Sequence, residues 1–570
     1  ASERSEVLSP EFFLAPNGHQ SPQSELAAAI HGWFAHTDDP DQHPRCRFPA
    51  RYTWLATQLG LDENTHNPQP CPRFEQWARL DQIDSISVLM VSGYLGNPAS
   101  SFGHSLIKFN HHSQESGARL LDISFNFGAL VPPEEPTLTY IHRGLFGGYQ
   151  AGFSDKLYYA QDQVYTRSEF RDIWEYELAL SPAERAMLVA HLWEIAGRKF
   201  TYFFLTKNCT YRMAELLTLA TGKDFTPRAV LWYVPVELFH RLEEVPQAGD
   251  DSIMADIRFI PSSQRLLYHN FARLSAGEVA IANQVITAGT GDPEPALGNL
   301  SPDRQRELLN ALLAYYEYRI AAEREEPDLS THQIKDRILR LRLSLPPSTE
   351  PEPQPPELPA PTEGHKPMLV GVGAGTIVGN TRAFVRVSPY FQDLVGASGS
   401  GDKELVVLDT QLSLDSRGNA EIDFLDIIRV RNLHTNRTAI AGESRLSWQV
   451  RLGLSRISPG DEDLSPELSA GLGRSVLLYE NVLAYAMIDG VIRTKDRALR
   501  VEPNIGLAAR WNTVSTEFGL AESYDIRHGN RHTRWRLDTR LPIASNREIA
   551  LGMEHGQGNS MLRLALNTYW

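Results

Sequence analysis

Cysteine 209 lies in "TKNCTYRMAELL" (206–217), directly before an amphipathic stretch. A helix start presents unpaired N–H groups and partial positive charge, which favours a thiolate over a thiol. The backbone at Asn208 and Thr210 then offers candidate donors to an oxyanion. A nucleophilic thiol also needs a base, usually an imidazole. Of the 18 histidines, His104 in "NPASSFGHSLIKF" is the best placed, because it opens an apolar strand. His111 and His112 fall in the turn that follows and read as solvated, and Ser100 and Ser101 read as turn residues rather than nucleophiles. If 104–110 and 119–127 pair as a hairpin around 111–117, residues near 124–126 lie opposite His104. Asn126 is then the first candidate to orient the imidazole, and Asp122 the second. The plain alternative is an inert buried thiol, the usual fate of a free cysteine. A metal site built on these histidines and Cys209 lacks any recognisable ligand spacing, so neither metal nor organic cofactor is expected.

These residues need a scaffold, and the chain has room for several. Its 570 residues imply more than one domain, and its net charge of −15 argues against nucleic acid as the main partner. The opening "ASERSEV" looks like a mature end left by removal of a signal peptide. In an oxidising compartment Cys46 and Cys71 are the natural disulfide pair, leaving Cys209 free. Helices are expected at 21–36 and 47–60, within an N-terminal region of residues 1–81. The catalytic region follows at 82–245. There, β-branched stretches ("DSISVLMVSGYL", "GHSLIKFN", "ARLLDISFNFGAL", "RDIWEYELAL") read as strands. Ser181, Pro182 and Glu184 open a capped helix that Gly197 stops, and "FTYFFL" leads into the Cys209 helix, which ends near Gly222.

A helical extension is expected over 246–345, with helices at 301–326 and 330–345 packing on the catalytic domain. Nine prolines in 346–367 mark an extended linker. At about 3.1 Å per residue it spans up to roughly 65 Å.

From 368 to 570 the helical signals stop. About twelve segments of strand length follow, with short polar turns such as "SRGN" and "GQGN". In 561–570, Leu562, Leu564, Leu566, Thr568 and Trp570 alternate with Arg563, Ala565, Asn567 and Tyr569. In 534–541, Trp535, Leu537, Thr539 and Leu541 alternate with Arg534, Arg536, Asp538 and Arg540. Alternation alone does not say which side is inside. Strands of about ten residues, an even count and a terminal aromatic favour a transmembrane barrel with a polar lumen. An even count puts both barrel ends on one side, which places residues 1–366 in the periplasm of a Gram-negative cell. The short turns suggest no large plug.

"CRFPARYTWL", "GYLGNPASSFGHSLIKF", "LFGGYQAGF", "RDIWEYELALSPAE" and "FFLTKNCTYRMAELL" together resemble the Lnb N-terminal periplasmic domain family over roughly residues 20–245. The family is similar to permuted papain-like cysteine enzymes, in which the histidine strand precedes the cysteine helix. The resemblance implies an α+β permuted papain-like domain with helical additions, with Cys209 as nucleophile and His104 as general base. It also implies acyl transfer from phospholipid to lipoprotein through a thioester. The Lnb transferases carry membrane helices after the catalytic domain, whereas here a proline linker leads to a barrel, so the acceptor is open. The expectation is an outer-membrane-anchored acyltransferase or lipase whose partners are outer-membrane lipids or lipoproteins. The alternatives are an amidase or peptidase acting on peptidoglycan peptides, and a non-enzymatic assembly or transport barrel with a docking domain.

Overall fold

The computed structural model describes the chain except residues 1–3, 61–69, 113–117, 228–231, 246–252, 289–293, 323–328, 349–355, 397–401, 436–437, 439, 441–442, 444–445 and 495–497. The first residues of the mature end, most of the 111–117 turn and the centre of the proline linker therefore lie outside the described residues. Contacts divide the chain into two units, Ala1–Ser263 and Gln264–Trp570.

The first unit is built on a seven-stranded antiparallel sheet. Its strands are β1 (Ile83–Val91), β2 (His104–His111), β3 (Ile123–Ala129), β4 (Tyr149–Leu157), β5 (Ile173–Leu178), β6 (Phe200–Tyr202) and β7 (Met254–Ile260), in the order β6-β4-β3-β2-β1-β5-β7. The central strands are near-continuous apolar runs because both sides are covered. Helices Pro182–Ile195 and Cys209–Thr221 pack on each other, and the latter also packs on β2 and β3. Tyr158 and Tyr165 join Leu89, Val91, Leu106 and Ile173 in a separate buried cluster. Ser181 and Glu184 form the reciprocal cap that the sequence indicates.

The N-terminal helices Pro22–Trp33 and Pro49–Leu59 belong to the same unit. Trp193 Nε1 donates to the Cys46 carbonyl at 2.9 Å, and Arg51 N donates to Glu194 Oε1 at 2.9 Å. Cys46 and Cys71 are joined by a disulfide, which leaves Cys209 free and buried. β7 lies inside the stretch expected to be helical. It is an edge strand whose side chains are half solvated, so its alternation is blurred.

In the second unit, helices Pro302–Ala322 and Leu329–Ser344 pack against each other. They group by contact with the C-terminal unit, not with the first, where the sequence reading had placed them. Twelve antiparallel strands close into a barrel. The first, Leu369–Ile377, pairs with the last, Asn559–Tyr569, and Asn380–Ser388 pairs with Lys403–Asp415 to complete the ring. Leu369 sits opposite Tyr569, so the chain enters and leaves the barrel at the same end.

Exposure settles the alternation. Leu562, Leu564 and Leu566 are 42, 56 and 41% exposed, whereas Arg563, Asn567 and Tyr569 are 8, 3 and 3%. The outer surface is therefore apolar, with Leu472, Ile488, Ile505 and Leu541 on other strands also exposed. A belt of that extent is far more than a water-soluble surface tolerates, and it fits hydrocarbon. The charged side chains face inward and pair there: Arg386 with Asp409 at 2.6 Å, Arg431 with Glu517 at 2.6 Å, and Arg451 with Asp426 at 2.6 Å.

Short turns argue against a large plug but say nothing of a short inward segment. The lumen holds an inward-folded segment in which Leu394 and Val395 are buried against Leu433, Leu483, Tyr485 and Met487. Two apolar residues after a strand suffice to fill space that a scan for long loops passes over.

Candidate active site

His104 is the first residue of β2, where the sheet ends and its two sides meet. Gly103 sets the approach with φ of +103°, and a Cβ there would stand 3.0 Å from the Val91 carbonyl oxygen. Only glycine suits that turn. Register pairs Leu106 with Asn126 across β2 and β3, so Asn126 lies two residues from direct opposition to His104 but on the same side of the sheet. An offset of two keeps the diagonal pair within reach. His104 Nε2 and Asn126 Oδ1 are 2.7 Å apart. Since an amide oxygen only accepts, Nε2 donates, which leaves Nδ1 for another partner.

That partner is Cys209, the first residue of its helix. Burial alone would raise its thiol from the ordinary 9.0. The charge and hydrogen bond of His104, the Ser105 N–H and the Thr210 hydroxyl more than offset this, bringing it down to about 7. Tyr202 and Tyr165 flank the pair. The Tyr165 ring lies 5.7 Å from that of His104. The Cys209 N–H donates to the Tyr202 hydroxyl, and burial, together with the charge at Cys209, pushes that phenol well above its ordinary value. Tyr202 therefore keeps its proton near neutral pH.

The other sequence candidates have different duties. Asn208 caps the helix, its Oδ1 accepting from Thr210 N and Tyr211 N at 3.1 Å each. Its amide nitrogen donates to the carbonyls of Phe204 and Tyr233. The Thr210 N–H is thus spent on the cap, and its hydroxyl meets Ser105 Oγ at 2.9 Å. The Cys209 N–H is engaged as well, by the Tyr202 hydroxyl, which leaves that hydroxyl's own proton as the donor beside the thiol. Asp122 lies just before β3, at the end away from His104, buried with Lys108 at 3.4 Å and His111 at 3.1 Å. Lys108 also meets Glu175 at 2.7 Å, so this is a closed ion cluster, not a partner of His104. His111 is accordingly half-buried and paired rather than solvated, while His112 is exposed and paired with Asp84.

The sequence offers Tyr202 only as one of several aromatics near the site, leaning toward an acyl-chain groove, and it gives no sign of Tyr165. Both are ordinary aromatics in their local patterns, and only the tertiary fold brings them to the thiol. Among the described residues no cluster of metal-ligating side chains occurs.

A buried thiol on a helix start, paired to an amide-oriented imidazole, makes a cysteine–histidine site, set in an α+β domain that shares its chain with a membrane barrel. Residues 73–244 belong to the Lnb N-terminal periplasmic domain family. Residues 1–58 and 358–570 match two domains of unknown function (DUF7843 and DUF7840), so the "CRFPARYTWL" motif falls in the first of these rather than in the Lnb domain. No curated protein matches the chain in sequence.

Solved structures similar to its barrel include the KdgM porin at 6% identity, covering 35% of this chain and 99% of that one, with a TM-score of 0.23. The outer membrane protein Omp33 of Acinetobacter baumannii is similar at 11% identity, covering 36 and 99%, with a TM-score of 0.22. An outer membrane channel from Pseudomonas putida F1 gives 13% identity, 39 and 100% coverage, and a TM-score of 0.22. Scores this low carry no argument, and the barrel rests on its own strand register and apolar exterior. The chain is an outer-membrane barrel fused to a domain of a periplasmic family.

Proposed function

We propose that the chain is an outer-membrane-anchored cysteine acyl enzyme, transferase or lipase, that takes an acyl group from phospholipid or lipoprotein onto Cys209. The observation that carries this reading is the Cys209–His104–Asn126 arrangement with the thiol drawn down to about 7. The Cys209 thiolate attacks an ester carbonyl carbon. The oxyanion that forms meets the protonated Tyr202 hydroxyl, whose oxygen takes the Cys209 N–H. As the C–O bond breaks, His104 gives its proton to the departing alkoxide, leaving an alcohol and a thioester. An amine or water, deprotonated by His104, then attacks the thioester and releases Cys209. Asn126 holds the imidazole in the tautomer that serves both steps.

The test is intact-protein mass spectrometry after incubation with phospholipid, comparing wild type with Cys209→Ala. The expected result is a mass increase of one fatty acyl chain on the wild type alone, lost on hydroxylamine treatment. An adduct formed with peptidoglycan peptides and not with lipid would move the site to amidase chemistry. With neither adduct nor released fatty acid, the enzymatic reading falls.

A further inference from the structure

The helix Thr137–Phe146 has one side that the domain does not cover. Leu138, Ile141, His142 and Leu145 follow the i, i+3, i+4, i+7 spacing of a single side, and Phe146 extends it. Leu138 is 81% exposed, Phe146 73% and Leu145 39%, and Leu130, one residue after β3, is 62% exposed. One exposed leucine is unremarkable, but a row of large apolar side chains along one helix marks an interaction surface.

The helix is firmly held, so the exposure is not slack. Its opposite side carries Tyr140, whose hydroxyl donates to Asn97 Oδ1 at 3.2 Å and whose ring lies 4.9 Å from that of Phe204. Gly144 rests on the Phe204 ring so closely that a Cβ would stand 2.1 Å from it, and Phe204 N donates to the Gly144 carbonyl at 2.8 Å.

Two observations select the occupant. The patch carries little net charge, since Arg143 pairs with Glu135 at 3.1 Å and Glu134 is the one further carboxylate beside it in sequence. A strongly acidic or basic partner therefore finds no complement. The same chain also crosses a membrane, so the domain is covalently tethered to a bilayer. The patch lies beside the thiol. Register places Gly128 level with His104, two residues before Leu130, and the ring of Tyr202, whose hydroxyl meets the Cys209 N–H, is 5.9 Å from that of Phe204.

We propose that Leu130 and the outer side of the Thr137–Phe146 helix dock on a phospholipid bilayer surface and bring acyl lipid to Cys209. Docking itself rests on the exposed face, and its purpose rests on the acyl-enzyme reading. Contact of this kind is driven by apolar burial, so it depends little on salt or on anionic lipid.

The test uses the full chain in proteoliposomes, with the photoreactive residue benzoylphenylalanine placed at Leu138 and, as a control, at the exposed Ala183. Irradiation is expected to add one phospholipid at position 138 at both low and high salt, and none at 183. Labelling of a second copy, of no molecule, or of lipid equally at both positions overturns the proposal. In parallel, Leu138→Ser combined with Phe146→Ser is expected to slow acylation by bilayer phospholipid about tenfold or more, since both apolar anchors are lost. Alkylation of Cys209 by a small water-soluble reagent should stay unchanged. The two readings fail separately. Lipid labelling without any thioester removes the enzyme and leaves the docking, whereas a thioester without lipid labelling does the reverse.

Discussion

Cys209 stands at the balance of two opposing influences, and its protonation is the first thing the fold fixes. Burial favours the neutral thiol, while His104, the Ser105 N–H and the Thr210 hydroxyl favour the thiolate and prevail. The folded-state value, about 7, lies below the ordinary 9.0, so the folded state releases this proton more readily than the unfolded chain. The stability it contributes is present above pH 9 and is lost as pH falls through 7. Alkylation of Cys209 should accordingly rise with pH through a midpoint near 7. In His104→Ala the opposing influence of burial remains, so the midpoint should move to 9 or above and the rate at neutral pH fall by about 50-fold or more. An unchanged midpoint, read from iodoacetamide kinetics, would remove His104 from the site. Cys209 and His104 were legible because a lone thiol before a helix and a histidine opening a strand are local patterns. The choice between Asn126 and Asp122 hung on register. A strand pair shifted by two residues keeps its sides, which is why Asn126 reaches His104 despite an inexact expected pairing, while Asp122 is drawn into the Lys108 cluster.

At the scale of elements, the site depends on where the Cys209 helix begins, and Asn208 sets that point from both directions. Its oxygen takes two helix N–H groups, and its nitrogen ties the start to the carbonyls of Phe204 and Tyr233. Asn208→Ala should destabilise the domain by about 1–3 kcal/mol, from the lost cap and the buried carbonyls left unpaired. Chemical denaturation should show this as a lower midpoint at constant slope. An oxyanion donor at this position would behave otherwise, losing turnover with stability intact. The helices that frame this site announced themselves by caps, as Ser181 and Glu184 do. The Thr137–Phe146 helix did not. It has threonines, a β-branched Ile141 and a central Gly144, all weak helix formers, and its start lacks a side-chain cap. Tertiary contact with Phe204 and Tyr149 holds it instead. β7 escaped notice for a related reason, since an edge strand is patterned by one neighbour only.

For the whole molecule the question is whether the barrel conducts or only anchors. Sequence alternation indicates the approximate number and the type of strands but is symmetric between inside and outside, because Leu562 and Arg563 read the same either way until burial separates them. Nor does alternation register what fills a lumen. Leu394 and Val395 fold inward onto Leu433, Tyr485 and Met487, and Asp393 meets the inward-facing Arg540. At the end where the chain enters, the buried His365 ring stacks on that of Tyr569 at 3.8 Å between centroids. Inward charges are satisfied by each other, and removing one member of such a buried pair costs about 3–5 kcal/mol, so the network resists opening. A cavity of about 640 Å³ remains, and it reaches Asp393 and Arg540, where the inward segment lies. The full chain inserted in a planar lipid bilayer should therefore show no stepwise conductance above the bare membrane across a range of voltages. Replacing Leu394 and Val395 by glycine removes the apolar filling while leaving every barrel strand intact, and it should introduce current steps. Steps from the native chain would make the barrel a channel in its own right. Their absence, together with their appearance in the glycine variant, would make it an anchor that holds the periplasmic site at the membrane.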